Sequence, residues 1–148
     1  MITYKLIIPG KPFSKKAPKF ARVGNGVRTY PTQAQATQEG LFLWETRQQY
    51  KGPKHVGAIL LHVFYIFERP KSHYGTGRNA EKLKPSAPHY HIVKPDEDNC
   101  TKFMKDCLAY LGVYKNDSQV ISTVPLKRWA KPGEESQTII TIKPLEGK

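Results

Sequence analysis

Four residues between positions 94 and 120 have the types and the spacing of a phosphodiester-cleaving site. Asp96 and Asp98 lie two positions apart, Lys102 follows Asp98 by four positions, and Asp117 comes after a break at Gly112. One or two carboxylates, together with substrate phosphate and water, are the usual ligands of Mg²⁺ in proteins. A lysine beside them can stabilise charge on a phosphate or on a leaving group. The pattern therefore indicates a metal-dependent site that cleaves a phosphodiester.

Each of these residues also has an ordinary structural explanation. Acids at a helix N-terminus usually cap the helix and interact with its dipole. Asp98 and Lys102, one turn apart, would form an exposed ion pair of about 0.3 to 0.5 kcal/mol, and an aspartate in Lys-Asn-Asp-Ser is commonly a turn residue. A calcium EF-hand is excluded, because its essential Gly and Glu positions hold Thr101 and Cys107. Only the combination of these residues favours the catalytic interpretation.

The segment from Asp98 to Leu111 is predicted to be the helix that positions this site. Its apolar side chains follow the i, i+3, i+4, i+7, i+8, i+11 series of one buried stripe: Cys100, Phe103, Met104, Cys107, Leu108 and Leu111. The polar side chains gather on the opposite face: Asp98, Lys102, Lys105 and Asp106. Gly112 is well placed to end the helix. Chemistry is expected on the polar face alone.

These residues resemble the signature of the RusA family of Holliday-junction resolvases. The similarity lies in the run 95–99, Pro-Asp-Glu-Asp-Asn, in Lys102, Asp106 and Gly112, and in the run 116–120, Asn-Asp-Ser-Gln-Val. The opening strand with Gly10-Lys11-Pro12, and the segment 69–77, are also similar to phage-type members. The resemblance therefore extends over nearly the whole chain.

The resemblance implies a set of roles. Asp96, Asp98 and Asp117 would hold Mg²⁺ or Mn²⁺, and Lys102 would be the catalytic lysine. Family members often show two adjacent acids before Ser/Ala-Gln-Val, whereas this chain has Asn116 ahead of Asp117, so a fourth carboxylate has no counterpart here. The resemblance also implies a homodimer that nicks two opposing strands of a four-way DNA junction.

The composition favours a polyanionic partner. The chain has 148 residues, which fit a single domain over 1–148, with 24 Lys plus Arg against 12 Asp plus Glu and a net charge of +12. It lacks a long apolar run, an amphipathic basic helix and a signal-peptide core, so we expect a soluble, cytoplasmic protein with no membrane partner. Cys100 and Cys107 are separated by about 10 Å of helical rise, too far to bridge, which suits a reducing compartment.

Two cationic segments are predicted to contact DNA. The segment from Gly10 to Tyr30 contains six cations and no acid, and we interpret it as a loop over DNA with a turn at Gly24-Asn25-Gly26. The Pro/Gly-rich connection from Arg69 to Lys94 contains six cations and one acid, and we interpret it as a DNA-gripping loop that is mobile without DNA. Cationic runs are often only solvated surface. The predicted nucleic-acid ligands are Lys11, Lys15, Lys16, Lys19, Arg22, Arg69, Lys71 and Arg78.

The remaining patterns predict an α+β (α/β) fold, a small mixed sheet of about four strands with two main helices. Strands are expected over 2–8, 56–67, 119–129 and 138–142, and a first helix over 31–50. The strand over 56–67 is apolar on both faces, so it should be central, while Pro125 argues for an edge position or a bulge in the next strand. Trp44 and His62 are expected in the core, and neither His62 nor His55 is expected to be a ligand. Zinc binding by His89 and His91 is not expected either, because no cysteine or third histidine lies close by in sequence.

Together these patterns predict a divalent-metal-dependent, structure-selective DNA endonuclease that resolves Holliday junctions by paired nicks. Two alternatives stay open. One is a non-catalytic DNA-binding module in which the acids only cap a helix. The other is a nuclease for other branched DNA, since branch shape leaves no local motif.

Overall fold

The fold is a four-stranded mixed sheet with two helices and a separate hairpin. A computed structural model describes the backbone of residues 2–14, 19–23, 26–30 and 33–145, and the side chains of 2–14 and 37–145. The elements are β1 (Tyr4–Pro9), β2 (Lys19–Val23), β3 (Gly26–Tyr30), α1 (Gln33–Gln49), β4 (Ile59–Phe67), α2 (Glu97–Tyr110), β5 (Val120–Trp129) and β6 (Gln137–Pro144). The α+β prediction is confirmed.

Strand β4 lies in the middle of the sheet, as its apolar pattern predicts. The strand order is β1, β6, β4, β5, in which β4 pairs parallel with β5 and antiparallel with β6. Alternate residues Leu61, Val63 and Tyr65 are buried, and Ile66 on the opposite face is buried as well. Strand β5 is at the edge of the sheet, the position that Pro125 favours, so that prediction is also confirmed.

Both helices pack on one face of the sheet. The core joins Phe42 of α1 and the predicted stripe of α2 to the inward-facing residues of β1, β4 and β6. Phe13 and Phe42 both meet Phe103 edge to face, with ring centroids 5.2 and 5.6 Å apart. On the opposite face Phe64 stays 44% exposed. Helix α2 is therefore fixed by its apolar side, which leaves its polar side open.

Helix α2 ends as the sequence predicts. Gly112 adopts φ +81°, a conformation that glycine accepts without strain. Its N–H donates to the carbonyl of Ala109 at 3.0 Å, and the Val113 N–H donates to the carbonyl of Leu108 at 3.1 Å. This is a Schellman motif, with Leu108 and Val113 both buried. The chain therefore turns sharply from α2 toward the segment that contains Asp117.

Two sequence predictions are wrong. The segments 19–23 and 26–30 form the antiparallel β2–β3 hairpin instead of a loop, because β-branched and aromatic residues favour strand pairing even where cations lie among them. Trp44 is 59% exposed and not in the core. The helix α1 buries Phe42 and Thr46 instead, and its mixed polar and apolar composition does not by itself select a face.

Two further features concern membrane-spanning helices and the state of the cysteines. Within the described ranges, neither helix is long and apolar enough to cross a membrane. Cys100 and Cys107 are both buried and form no disulfide, as their spacing on α2 predicts.

Candidate active site

The first acid of the motif does not use its side chain as a helix cap. Asp96 is the N-cap residue of α2, and its backbone carbonyl accepts a hydrogen bond from the Cys100 N–H at 3.2 Å. Its side chain makes no capping hydrogen bond and is exposed. The ordinary explanation for an acid at this position therefore does not account for the Asp96 carboxylate.

The polar face of α2 and the segment before β5 form one open cleft of about 250 Å³. Three of the four predicted catalytic residues line it, namely Asp98, Lys102 and Asp117. The other lining residues are Glu97, Thr101, Lys105 and Asp106. Asp96 is not among them. Two carboxylates from separate elements and one lysine thus face the same space.

The arrangement suits a metal ion that is only partly coordinated by protein. In the described part of the chain, no three His, Cys, Asp or Glu side chains come together closely enough to hold an ion. Mg²⁺ does not need such a cage, since it is commonly bound through one or two carboxylates with water and phosphate as the other ligands. Asp98 and Asp117 fit that requirement, and the third ligand role of Asp96 stays a prediction.

The Gln119 side chain anchors the turn that carries Asp117. Asp117 begins a short 3₁₀ turn that ends at Gln119. The Gln119 Oε1 accepts from the N–H groups of Lys115 and Asn116 at 2.7 Å each, and its Nε2 donates to the carbonyls of His55 and Gly57 at 2.9 Å each. The turn is thus tied to the segment before β4. The Asn-x-x-Gln spacing of a capping box was the sequence signal for this role.

Tyr114 lies beside the acids and was missed by the sequence analysis. It is fully buried, and its hydroxyl donates to the carbonyl of Lys105 at 2.8 Å. Burial raises the pKa of Tyr114, and the neighbouring carboxylates of Asp117 and Asp106 raise it further. The phenol therefore stays neutral next to Asp117. Its signal in the sequence was only that of an ordinary core aromatic.

Two linked hydroxyl groups, those of Tyr65 and Thr101, support the side of the cleft that α2 forms. The Thr101 hydroxyl donates to the carboxylate of Glu97 at 2.8 Å, and the Tyr65 hydroxyl lies 2.9 Å from the Thr101 oxygen. Since the Thr101 proton points to Glu97, Tyr65 is the donor to Thr101. Burial raises the pKa of Tyr65, which keeps it a donor. Glu97 is therefore a further oriented carboxylate in the cleft.

Four charged side chains lie near the buried Cys100 thiol in the first turn of α2. Burial raises the pKa of the Cys100 thiol to about 11, with Lys127 opposing the rise and Glu97, Asp96 and Asp98 adding to it. All four charged groups are thus close enough to act on one thiol. Cys100 stays a protonated core residue.

The residues predicted to contact DNA differ in exposure and in their hydrogen bonds. Lys11, Lys71 and Arg78 are exposed. Arg69 instead donates from its guanidinium to the carbonyls of Ala130 and Pro88 at 2.7 Å each, which ties the 69–94 connection to the end of β5. Lys15 and Lys16 lie outside the described residues, and Lys19 and Arg22 lie on β2 with side chains that are not described. Their contacts to DNA stay predictions.

His91, at the end of the 69–94 connection, has a packing role. His91 is 5% exposed and stacks on Phe67, with ring centroids 3.7 Å apart, and it also packs against Trp129. Burial lowers the pKa of His91 to about 4, so the ring is neutral. The connection also contains 3₁₀ turns at Lys71–His73 and Gly77–Asn79. Its mobility without DNA stays a prediction.

Comparison with known proteins adds one match. A family model described as Endodeoxyribonuclease RusA matches residues 9–143 of this chain. No curated protein matches it.

Proposed function

This chain belongs to the RusA family of endodeoxyribonucleases, and on that premise we propose that it resolves Holliday junctions by paired, divalent-metal-dependent nicks. The observation that supports this proposal most is the single open cleft that Asp98, Lys102 and Asp117 share. A net charge of +12 favours the approach of a polyanion to that cleft.

The described residues would divide the chemistry as follows. Asp98 and Asp117 would hold Mg²⁺ or Mn²⁺, with Asp96, the N-cap residue of α2, as the third acid. When bound, such an ion supplies charge neutralisation at phosphoryl oxygens and lowers the pKa of water. Lys102 would lie against the phosphate and stabilise the charge that develops on it, because an ammonium group acts as a compact point charge.

The structure weakens the alternative of a non-catalytic DNA-binding module. That alternative requires the acids to serve as caps, yet the Asp96 side chain makes no capping bond and Asp98 faces the cleft. A nuclease for other branched DNA has the same site, so only the substrate separates it from the proposal. Two nicks on opposing strands call for two active sites, and we therefore propose that a homodimer acts on the junction.

The experiment compares cleavage of a labelled four-way junction, a flap and a linear duplex, with Mg²⁺, Mn²⁺ or a chelator. We expect paired nicks in the junction, slower or no cleavage of the other two, and none with the chelator. Folded wild-type protein that leaves all three substrates intact in both metals would refute the proposal, and preference for the flap would support the second alternative.

The matched variants are Asp98→Asn and Glu81→Gln. Both remove one acidic charge, but Glu81 is an exposed residue of the 69–94 connection. We expect Asp98→Asn to lower cleavage by about 100-fold or more while junction binding without metal is kept. Glu81→Gln should cleave like the wild type.

A further inference from the structure

We propose that Lys127 is a positioning residue for the acidic motif, holding the backbone of residues 93–95 from which Asp96 and α2 begin. The proposal rests on the proposed function and concerns a residue of β5, distant in sequence from the motif that it supports.

The contacts of Lys127 are specific. Its Nζ donates to the carbonyl of Val93 at 2.7 Å and to the carbonyl of Pro95 at 2.5 Å. Both acceptors belong to the main chain directly before Asp96. The ammonium group thus joins the edge strand of the sheet to the entrance of the helix that carries the site.

The backbone of the same strand holds the residues just before this turn. The His91 N–H donates to the carbonyl of Lys127 at 3.3 Å, and the Trp129 N–H donates to the carbonyl of His89 at 2.9 Å. Main-chain bonds therefore hold the connection as far as His91. From Val93 onward the Lys127 side chain supplies the attachment, and α2 begins immediately after it.

The position of the charge supports a functional role in addition to an architectural one. Lys127 and the acids Asp96 and Asp98 all act electrostatically on Cys100, so the ammonium lies near the first turn of α2. A positive charge there offsets part of the repulsion between acids that are two residues apart. Lys127 thus holds the main chain from which these acids begin and places a positive charge near them.

Substitutions at this position separate the two contributions. Methionine keeps the length of the side chain but has no donor, and glutamine has an amide donor without charge. Arginine keeps the charge and has several N–H donors, two of which can reach two carbonyls. Lys127→Arg should therefore retain the most Mn²⁺ binding and cleavage, Lys127→Gln less, and Lys127→Met the least.

The test titrates Mn²⁺ into wild type, Lys127→Met, Lys127→Gln, Lys127→Arg and the control Lys5→Met. Lys5 is an exposed residue of β1, so the control removes the same charge. Bound Mn²⁺ is read from the loss of the free-ion EPR signal, and cleavage of a four-way junction is measured in parallel. We expect Lys127→Met to weaken Mn²⁺ binding and raise the half-activating concentration about 10-fold. Lys127→Arg should restore both, and Lys5→Met should match the wild type.

The outcomes are distinguishable. Wild-type Mn²⁺ binding in Lys127→Met, or failure of arginine to restore it, would overturn the proposal. If neither Lys127→Met nor Lys127→Gln folds, the residue is part of the scaffold and the proposal also fails. Wild-type protein that binds Mn²⁺ but cleaves no branched DNA would refute the proposed function alone, because the binding comparison would still report on Lys127.

Discussion

The two walls of the cleft hold their acids by different means. The α2 wall presents Asp98 from a helix whose opposite face is buried, so hydrophobic packing fixes its position. The other wall presents Asp117 from a turn in which residues 115–118 are exposed and one side chain, Gln119, makes the four bonds described above. A wall fixed by a buried stripe tolerates the loss of one polar contact better than a wall that depends on a few polar side chains, of which Gln119 makes the most bonds.

The largest effect should come from the carboxylate of the turn wall itself. Asp117→Asn keeps the shape of the residue but removes its charge, and we expect cleavage to fall by about 100-fold or more. Because Asp117 is exposed, thermal unfolding should change little. Ser118→Ala, an exposed neighbour in the same turn, serves as the control and should cleave normally. Retained cleavage in Asp117→Asn would show that only the helix wall takes part in the chemistry.

The next effect tests the comparison between the walls directly. Gln119→Ala removes all four bonds that the Gln119 side chain makes, and we expect a loss of about 2 to 4 kcal/mol in the free energy of unfolding. Cleavage should fall by about 10-fold or more, since Asp117 is no longer held. Urea unfolding and junction cleavage measure the two effects.

The matched change on the helix wall is Thr101→Val. It removes the hydroxyl that donates to Glu97 and accepts from Tyr65, while the apolar stripe of α2 stays intact. We expect a loss of about 1 kcal/mol in unfolding free energy and a smaller loss of cleavage than in Gln119→Ala. A larger effect of Thr101→Val would reverse the proposed difference between the walls.

The smallest effect should come from an ion pair outside both walls. Arg128 and Glu134 form a bidentate pair, with N to O distances of 2.7 and 2.8 Å, and the hydrogen bond from Arg128 lowers the pKa of Glu134 to about 2. A lowered pKa stabilises the fold above the ordinary pKa of 4.5 and loses that contribution as the pH falls from 4.5 toward 2. Glu134→Gln should therefore lower the free energy of unfolding at pH 7, and its difference from the wild type should shrink as the pH falls from 4.5 toward 2.

The control for the Arg128–Glu134 pair is the pH dependence of the unfolding free energy of Glu134→Gln. Its unfolding free energy should change less between pH 4.5 and 2 than that of the wild type, and its junction cleavage at neutral pH should be unchanged. An equal slope in both proteins would show that the pair contributes nothing measurable. Reduced cleavage would show that the far end of β5 influences the cleft.

Local sequence patterns predicted the helices and strands that position the site. The predictions failed where one pattern is compatible with two structures. The α2 stripe has a single apolar face, so the orientation of that helix and the exposure of Asp98 and Lys102 followed from spacing. In α1 the apolar residues Leu41, Phe42, Leu43 and Trp44 are consecutive, so spacing did not select which of them would be buried. The segment 10–30 was predicted to be a loop because of its cations, but charge does not determine backbone conformation, and part of the segment forms the β2–β3 hairpin.

By itself the sequence determined the family, the α+β class and the buried face of α2, and it predicted four residues for the chemistry. Each depends on residues that are near one another in the chain, where period, spacing and turn chemistry act directly. Only the tertiary structure decided that Asp117 shares a cleft with Asp98, that Gln119 holds the turn, that Tyr114 lies beside the acids and that Lys127 reaches the backbone before Asp96. Those contacts join segments that the sheet brings together, and their partners are mostly main-chain carbonyls and N–H groups, which every residue has and no sequence pattern can distinguish.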